Sequence, residues 1–400
     1  MTTSSAVDSN STLSIKLSQS SFQNALSLVA RAVAKHGIQP VLSNVLLKTD
    51  AENKTLTLAA TDLNLSLAAK VNCEVIESGE ITVPSQKLLE LVSKLSSSEL
   101  SFVSDEKGLI KITCGRSKFE IKGLSSEQFP QDFLNVQTEN IKNISLSTEV
   151  LKEAIELVGF ASDKREVNSI LNGVCLEISD KGLEIAATDG SRLAYFSMPA
   201  IKAEEHFKVI VPFRSLSELS RMLNSIDDEF IQCIFPNNNQ VIFKSEDKTL
   251  STSLIDGTYP KYQQLIPQSH SQKATVNRSN LLSCLERVSV LANERTKVVK
   301  LFFEAIGVLN VSASTPDLGE ASDQLDIVEY EGNDFTIAFN VNYMTECLRN
   351  LDSEQVEITM SEPLKPIIVS PQIKLEAEDL NETRSNYLYL LMPVQMRNAG

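Results

Sequence analysis

Two Thr-Asp pairs, Thr61-Asp62 and Thr188-Asp189, each close an alternating apolar segment, and paired carboxylates can do general acid–base work. The matching place in a third segment holds Ser314-Thr315, so the carboxylate is not part of a uniform catalytic site. An Asx turn, in which the Asp side chain hydrogen-bonds backbone two residues on, accounts for these positions more simply. The histidines, His36, His206 and His270, are dispersed. Cys73, Cys114, Cys175, Cys233, Cys284 and Cys347 contain no C-x-x-C pair, and zinc or redox sites need close ligand spacing. G-x-S-x-G, H-E-x-x-H, P-loop and G-x-G-x-x-G fingerprints are absent. The run Asp227-Asp228-Glu229 reads as a solvated turn. The expectation is buried reduced thiols, with no catalytic residue, metal or cofactor.

Cations offer more. Arg31 and Lys35 extend the first helical segment on an i, i+4 row. Arg214 and Arg221 stand seven apart, hence on one helix face, and Arg349 recurs 128 residues after Arg221. Any one of these is ordinarily a solvated face, but recurrence on equivalent helices raises the chance of one shared positive surface despite the acidic exterior.

The elements that must carry these residues repeat. Val83-Pro84-Ser85-Gln86-Lys87-Leu88-Leu89-Glu90-Leu91 is matched by VPFRSLSEL from Val211 and FNVNYMTEC from Phe339, each step being 128 residues. The apolar stripe recurs as Leu88, Leu91, Leu95; Leu216, Leu219, Leu223; and Met344, Cys347, Leu351. A second helix recurs as Phe22, Ala25, Leu26, Val29; Leu151, Ala154, Ile155, Val158; and Leu281, Cys284, Leu285, Val288. Each follows an alternating strand (LSIKLS, ISLSTE, ATVNRS) whose Ser, Thr or Asn end suits an N-cap. LTLAATDLNLSLAAKV recurs as LEIAATDGSRLAYFSM and, degraded, as LNVSASTPDLGEASDQ, the alternation of antiparallel strands. The period is too long for a solenoid repeat. The expectation is α+β, three tandem domains of one fold at 13–137, 138–267 and 268–400 behind a short N-terminal tail, 1–12. Two strand–helix starts per repeat suggest a half-repeat.

With 400 residues, 42% hydrophobic and 22% charged, the chain can bury several cores. No apolar run reaches the ~18–20 residues of a membrane helix, and the Ser/Thr-rich start lacks signal or transit features, so a cytoplasmic location with no membrane partner is expected. The net charge of −15 divides as 0, −6 and −8 over the three repeats, with Asp8 in the tail. Lys111, Arg116, Lys118 and Lys122 make repeat one locally basic, whereas Asp317, Glu320, Asp323 and Asp326 make repeat three locally acidic. Complementary ends suit head-to-tail association, although unrelated solvated faces would look the same.

AATDGSRLA (186–194), VIVPFRSLSEL (209–219), SLIDGTYPKYQQLIP (253–267), FNVNYM (339–344) and YLLMP (389–393) resemble the bacterial DNA polymerase III β subunit, the sliding clamp. The resemblance spans essentially 13–397. It implies a head-to-tail dimeric ring, helices lining the hole and antiparallel sheets outside. Such a ring tethers the replicative polymerase and other replication and repair proteins to duplex DNA without catalysis. DNA contacts would be sequence-independent phosphate contacts, here by Arg31, Lys35, Lys164, Arg165, Arg214, Arg221, Lys297 and Arg349. A groove for short linear motifs of polymerase, clamp loader and repair proteins would have a floor of Leu171, Thr188, Gly190, Arg192, Leu193, Pro260 and Leu265. Leu364, Pro366, Leu390, Leu391, Met392 and Pro393 would form its flank, with Asn340 and Tyr343 nearby. Arg192 could cap a ligand carbonyl or hydrogen-bond its own neighbours. The ring would close where Val290 and Leu291 of one copy meet Phe119 and Ile121 of the other, with Lys87, Arg116 and Lys118 facing Glu320 and Asp323. Thr296 stands where many members have an aromatic, Ser169 and Ile170 replace residues often aromatic in the DNA-contacting loop, and the loop Asp379–Asn386 and the end after Pro393 are longer than usual. An enzyme with a site between repeats would need a convergent His or carboxylate cluster, and a scaffold binding only protein would lack a basic inner surface.

Overall fold

The computed structural model describes residues 12–34, 39–96, 98–134, 142–165, 169–203, 206–236, 239–316, 318–372 and 386–395. Lys35, Asp317, the tail through residue 11, the loop 379–385 and the last five residues lie outside them.

Alternating strands and amphipathic helices assemble into a unit that occurs six times. The first is β1 (Ser14–Ser18), α1 (Gln19–Val29), β2 (Asn44–Asp50), β3 (Thr55–Thr61) and β4 (Leu65–Asn72), followed by a short strand β5 (Glu74–Glu77). The second is β6 (Glu80–Pro84), α2 (Ser85–Val92), β7 (Glu99–Ser104), β8 (Leu109–Cys114) and β9 (Ser117–Lys122). The third is β10 (Lys142–Ser147), α3 (Thr148–Val158), β11 (Gly173–Ser179), β12 (Gly182–Thr188) and β13 (Arg192–Met198). The fourth is β14 (Phe207–Pro212), α4 (Phe213–Leu223), β15 (Phe230–Phe235), β16 (Gln240–Lys244) and β17 (Lys248–Ser253). The fifth is β18 (Gln272–Asn277), α5 (Arg278–Ser289), β19 (Val298–Glu304), β20 (Val308–Thr315) and β21 (Gly319–Asp326), with short β22 (Glu329–Glu331). The sixth is β23 (Phe335–Asn340), α6 (Val341–Asn350), β24 (Gln355–Met360), β25 (Ile367–Pro371) and β26 (Asn386–Leu391). The half-repeat is real: one strand, one helix, then a three-strand antiparallel meander.

The first strand of each half crosses to its sister's meander: β1 pairs β7, β6 pairs β2, β10 pairs β15, β14 pairs β11, β18 pairs β24 and β23 pairs β19. The chain divides into two compact units, residues 1–149 with 218–254, and 150–217 with 255–400. The first holds a sheet ordered β5-β1-β7-β8-β9 and an eight-stranded sheet, β10-β15-β16-β17-β4-β3-β2-β6. The second holds a nine-stranded sheet, β14-β11-β12-β13-β26-β25-β24-β18-β22, and a four-stranded one, β21-β20-β19-β23. Two meanders fuse edge to edge in each large sheet, through β4–β17 in the first unit and β13–β26 in the second. Among the described residues, β9 and β21 end their sheets without a strand on the outer side.

The apolar stripes of α1, α3 and α5 are buried as their spacing requires. Leu216, Leu219, Leu223, Met344, Cys347 and Leu351 are buried too. In α2 the stripe shifts: the helix ends at Val92, which is fully buried, while Leu91 and Leu95 are only half-buried. Asn277 and Asn340 cap α5 and α6 by accepting the Asn280 and Asn342 amides, both at 3.0 Å. Ser18 makes no such bond, and Thr148 begins α3, its hydroxyl donating to the Asp228 carbonyl at 2.6 Å. All six cysteines are buried and unpaired, and burial pushes the Cys175, Cys284 and Cys347 thiols up to about 12.

Both Thr-Asp pairs are turns. Asp62 accepts the Asn64 and Leu65 amides, and Asp189 accepts that of Ser191. Thr61 accepts from the amide of Leu63, as Thr188 does from that of Gly190, and both turn residues have positive φ, +75° and +86°. Leucine is strained there, and its side chain is 56% exposed, so it gains little burial in return. Leu63→Gly should raise the unfolding free energy by about 0.5–1 kcal/mol, since relief of ~1–2 kcal/mol of strain outweighs glycine's larger unfolded entropy. Gly190→Ala, with open space at its Cβ, should cost about 1 kcal/mol through backbone strain alone. Urea midpoints of the two variants moving in the same direction would refute this.

Candidate binding surfaces

Most of the expected groove residues meet within the second unit. Leu193 opposes Leu390, and Arg192 opposes Leu391, across the β13–β26 pairing. Ile367 opposes Leu391 on the other side, so the turn carrying Leu364 and Pro366 leads into the same corner. The Met392 amide donates to the Ser191 carbonyl at 3.0 Å, and the Val394 amide to Ala338 at 2.7 Å, which leads Pro393 past the end of β23. Tyr259, Tyr262, Leu193 and Leu390 form one buried cluster, with Ile170 and Ile266 packed against it. The Tyr259 hydroxyl accepts the Thr188 amide at 3.1 Å.

These residues form two layers. Thr188, Arg192, Leu193, Leu390 and Leu391 are at most 5% exposed and lie beneath the surface. Leu265, Leu364 and Met392 are 54%, 64% and 40% exposed, Pro260 and Gly190 are also exposed, and Leu171, Tyr343, Pro366 and Pro393 are half-buried. The upper layer is what a ligand could touch. Asn340, expected near the groove, spends its side-chain oxygen capping α6.

Arg192 is a strut. Its Nε donates to Asp189 at 3.1 Å, Nη1 to Glu346 at 2.5 Å and Nη2 to the Phe160 carbonyl at 2.9 Å. The guanidinium lies 4.5 Å from the Tyr343 ring centre, a cation–π contact, and the Tyr343 carbonyl accepts from the Tyr389 hydroxyl at 3.0 Å. The carbonyl-capping alternative therefore gives way to a positioning role.

The cations expected to face DNA mostly hold carboxylates. Arg221 pairs with Glu218 at 2.8 Å and Arg31 approaches the same side chain at 3.6 Å. Lys164 pairs with Glu346 at 3.2 Å, Arg165 with Asp163 at 2.9 Å and Arg349 with Glu286 at 2.7 Å. Arg214 is exposed on α4, and Lys297 is half-buried with φ +50°. Arg31 does not continue α1: the helix stops at Val29 and a 3-10 turn, Ala30–Ala32, carries it, while Lys35 lies outside the described residues. A cleft in the first unit is lined by Arg31, Lys70, Arg221, Asn224 and Lys248.

On the edges, Lys118, Phe119 and Ile121 lie on β9, and Glu320 and Asp323 on β21. Arg116 sits in the turn before β9. Val290 is 75% exposed just after α5, and Leu291 is half-buried. Lys87 already pairs with Glu90 at 3.4 Å, and Asp323 with Arg287 at 2.6 Å.

Sequence reasoning passed over Glu346, although the signal was present: Glu90, Glu218 and Glu346 recur at the 128-residue step. Each is shared by two cations, Glu90 by Lys87 and Lys94, Glu218 by Arg31 and Arg221, and Glu346 by Lys164 and Arg192. Among the described residues, no cluster of three or more His, Cys, Asp or Glu is placed to hold a metal, and no helix is long and apolar enough to cross a membrane.

The fold as a whole matches solved sliding clamps. The clamp of Pseudomonas aeruginosa, solved bound to griselimycin, matches with a TM-score of 0.86 at 28% identity, over 96% of this chain and 100% of that one. The beta subunit from DNA polymerase of Streptococcus pyogenes shares the fold, with a TM-score of 0.86 over 96% of this chain and 100% of that one at 24% identity. The architecture is that of a DNA sliding clamp. Sequence models of the DNA polymerase III beta subunit match throughout: its N-terminal domain at 13–134, central domain at 145–261 and C-terminal domain at 263–382. The beta sliding clamp of Synechocystis sp. is 34% identical over 95% of this chain and 98% of its own length. That of Pseudomonas putida is 32% identical over 93% and 96%. This chain belongs to the DNA polymerase III beta subunit family, the non-catalytic processivity clamps.

Burial raises the Glu346 carboxyl, but hydrogen bonding and charge from Arg192, with charge from Lys164, hold it below its ordinary 4.5. A carboxyl depressed in the folded state stabilises above its unfolded value and loses that contribution as pH falls through the folded one. The stability gap between wild type and Glu346→Gln should be constant above about pH 5.5 and narrow below about pH 4.5. Urea unfolding across this range checks it; a gap that widens in acid would be incompatible with the assignment.

Proposed function

We propose that two copies close head to tail around duplex DNA, with β9 of each pairing with β21 of the other. One observation carries this reading. In both large sheets, the last strand of a repeat's first half pairs antiparallel with the last strand of the next repeat's second half, β4 with β17 and β13 with β26. The same rule applied to repeat three sends β21 to the β9 of another copy. Charge supports it, since β9 carries Lys118 and Lys122 and β21 carries Glu320, Asp323 and Asp326. Val290, exposed just after α5, would then cover Phe119 and Ile121. The repeats, 13–137, 138–267 and 268–400, are the domains of this ring, and the protein acts in the cytoplasm.

DNA is held through phosphates, by Arg31, Lys35, Lys164, Arg165, Arg214, Arg221, Lys297 and Arg349. Carboxylates paired with Arg31, Lys164, Arg165, Arg221 and Arg349 weaken those contacts, which suits a ring that must slide. Short motifs of the polymerase, the clamp loader and repair proteins dock on the upper layer of the groove. A partner's leucine or phenylalanine would find Leu265, Leu364 and Met392 for burial and Gly190 for close backbone approach.

Val290→Ala with Leu291→Ala should convert dimer mass to monomer mass in solution. Wild type should stay on closed circular duplex, leave linear duplex and wash off more readily as salt rises. A dimer that survives the double substitution would show that the interface lies elsewhere.

Removing residues from 390 onward would break the β13–β26–β25 pairing, so side-chain truncation is the cleaner probe of the groove. Leu265→Ala and Met392→Ala should each weaken a clamp-binding peptide about tenfold, from ~1.5 kcal/mol of lost burial, without altering dimer mass. Unchanged affinity in both would move the docking site.

A further inference from the structure

Glu346 stands between the two binding surfaces proposed above, and its two oxygens are divided between them. Oε1 accepts from Lys164 at 3.2 Å and Oε2 from Arg192 at 2.5 Å. We propose that Glu346 is a positioning residue that couples DNA contact at Lys164 to the shape of the peptide groove. The inference rests on the reading of Lys164 as DNA-facing and of the upper layer as the peptide site.

The asymmetry of burial sets the direction. The side chain of Lys164 is 52% exposed and that of Glu346 35%, whereas that of Arg192 is 5% exposed. Lys164 can therefore leave for a phosphate while Arg192 stays. Once Lys164 leaves, the carboxylate has one cation instead of two, and its interaction with Arg192 strengthens. Arg192 in turn holds Tyr343 through its ring face, Asp189 through Nε and the Phe160 carbonyl through Nη2. Asp189 belongs to the turn that presents Gly190. A tighter Arg192–Glu346 pair thus fixes both Tyr343 and the Gly190 turn.

A backbone connection runs the same way. The Asp163 amide, next to Lys164, donates to the Leu171 carbonyl at 2.8 Å, and Asn172 Nδ2 returns to the Asp163 carbonyl at 2.8 Å. Leu171 is a groove residue, so the segment bearing Lys164 and the groove wall share hydrogen bonds. Glu90 and Glu218 hold two cations in the same way, but neither is bonded to Arg192. The shared carboxylate became a coupling element only where repeat two supplied an arginine at 192.

Coupling of this kind is reciprocal: DNA tightens peptide binding, and peptide tightens DNA binding by the same factor. The test uses the full-length dimer, a short blunt duplex at low salt and a fluorescent peptide selected by display against wild type. In wild type, saturating duplex should tighten the peptide by about fivefold or more. Glu346→Gln should bring that factor to about one, and Glu346→Asp should restore part of it. Arg165→Ala, which removes a proposed phosphate contact but leaves Glu346 paired, should weaken duplex binding yet keep the factor at saturation. If wild type binds both ligands with no mutual effect, or Glu346→Gln keeps the full factor while folded and dimeric, the coupling proposal is overturned and the binding surfaces stand. If wild type binds neither probe, the functional reading fails and the coupling fails with it.

Discussion

A three-strand meander leaves a row of backbone donors and acceptors along its last strand, and a partner strand must satisfy them or the edge invites aggregation. That obligation organises this chain. β4 meets it with β17 and β13 with β26, so each compact unit is built around a seam between halves of different repeats. The units therefore do not coincide with the sequence repeats. The crossed first strands add a second tie, since every half lends a strand to its sister and neither closes its sheet alone.

On this scaffold the second helix of each repeat carries a glutamate at one recurring place. At Glu218 it gathers two cations expected to face DNA, and at Glu346 it joins one such cation to a buried arginine. The groove gains a rigid lower layer, Arg192 with its aromatic neighbours and the Leu193–Leu390 pair. Above it sits a thin exposed layer of leucine, proline and methionine. Rigidity below and exposure above suit recognition of short segments, because little groove entropy remains to be lost on binding.

The repeat, the helix stripes and the strand alternation were legible because burial imposes a period that survives without knowledge of partners. Buried Phe22, Leu26, Leu151, Leu281 and Leu285 follow that period. Leu95 missed it because α2 ends at Val92, and the stripe alone does not set where a helix stops. The Asx turns at Asp62 and Asp189 were legible because their bonds are local. The strut role of Arg192 was not, because Glu346 lies 154 residues away and only the folded sheet brings them together. The groove residues could be gathered by resemblance, yet their sorting into buried and exposed layers needed the β13–β26 register. Arg31 reads as helical from its spacing, and only the geometry shows the helix giving way to a tighter turn before it.

The six thiols, all enclosed and several held far from ionisation, have a practical consequence. Maleimide chemistry needs an accessible thiol, and all six native cysteines are buried. A single cysteine placed on an exposed turn away from β9 and β21 becomes a unique handle for dyes or crosslinkers, with no need to strip the natural ones. Distances across an assembled ring can then be followed by fluorescence on a chain whose interior is untouched.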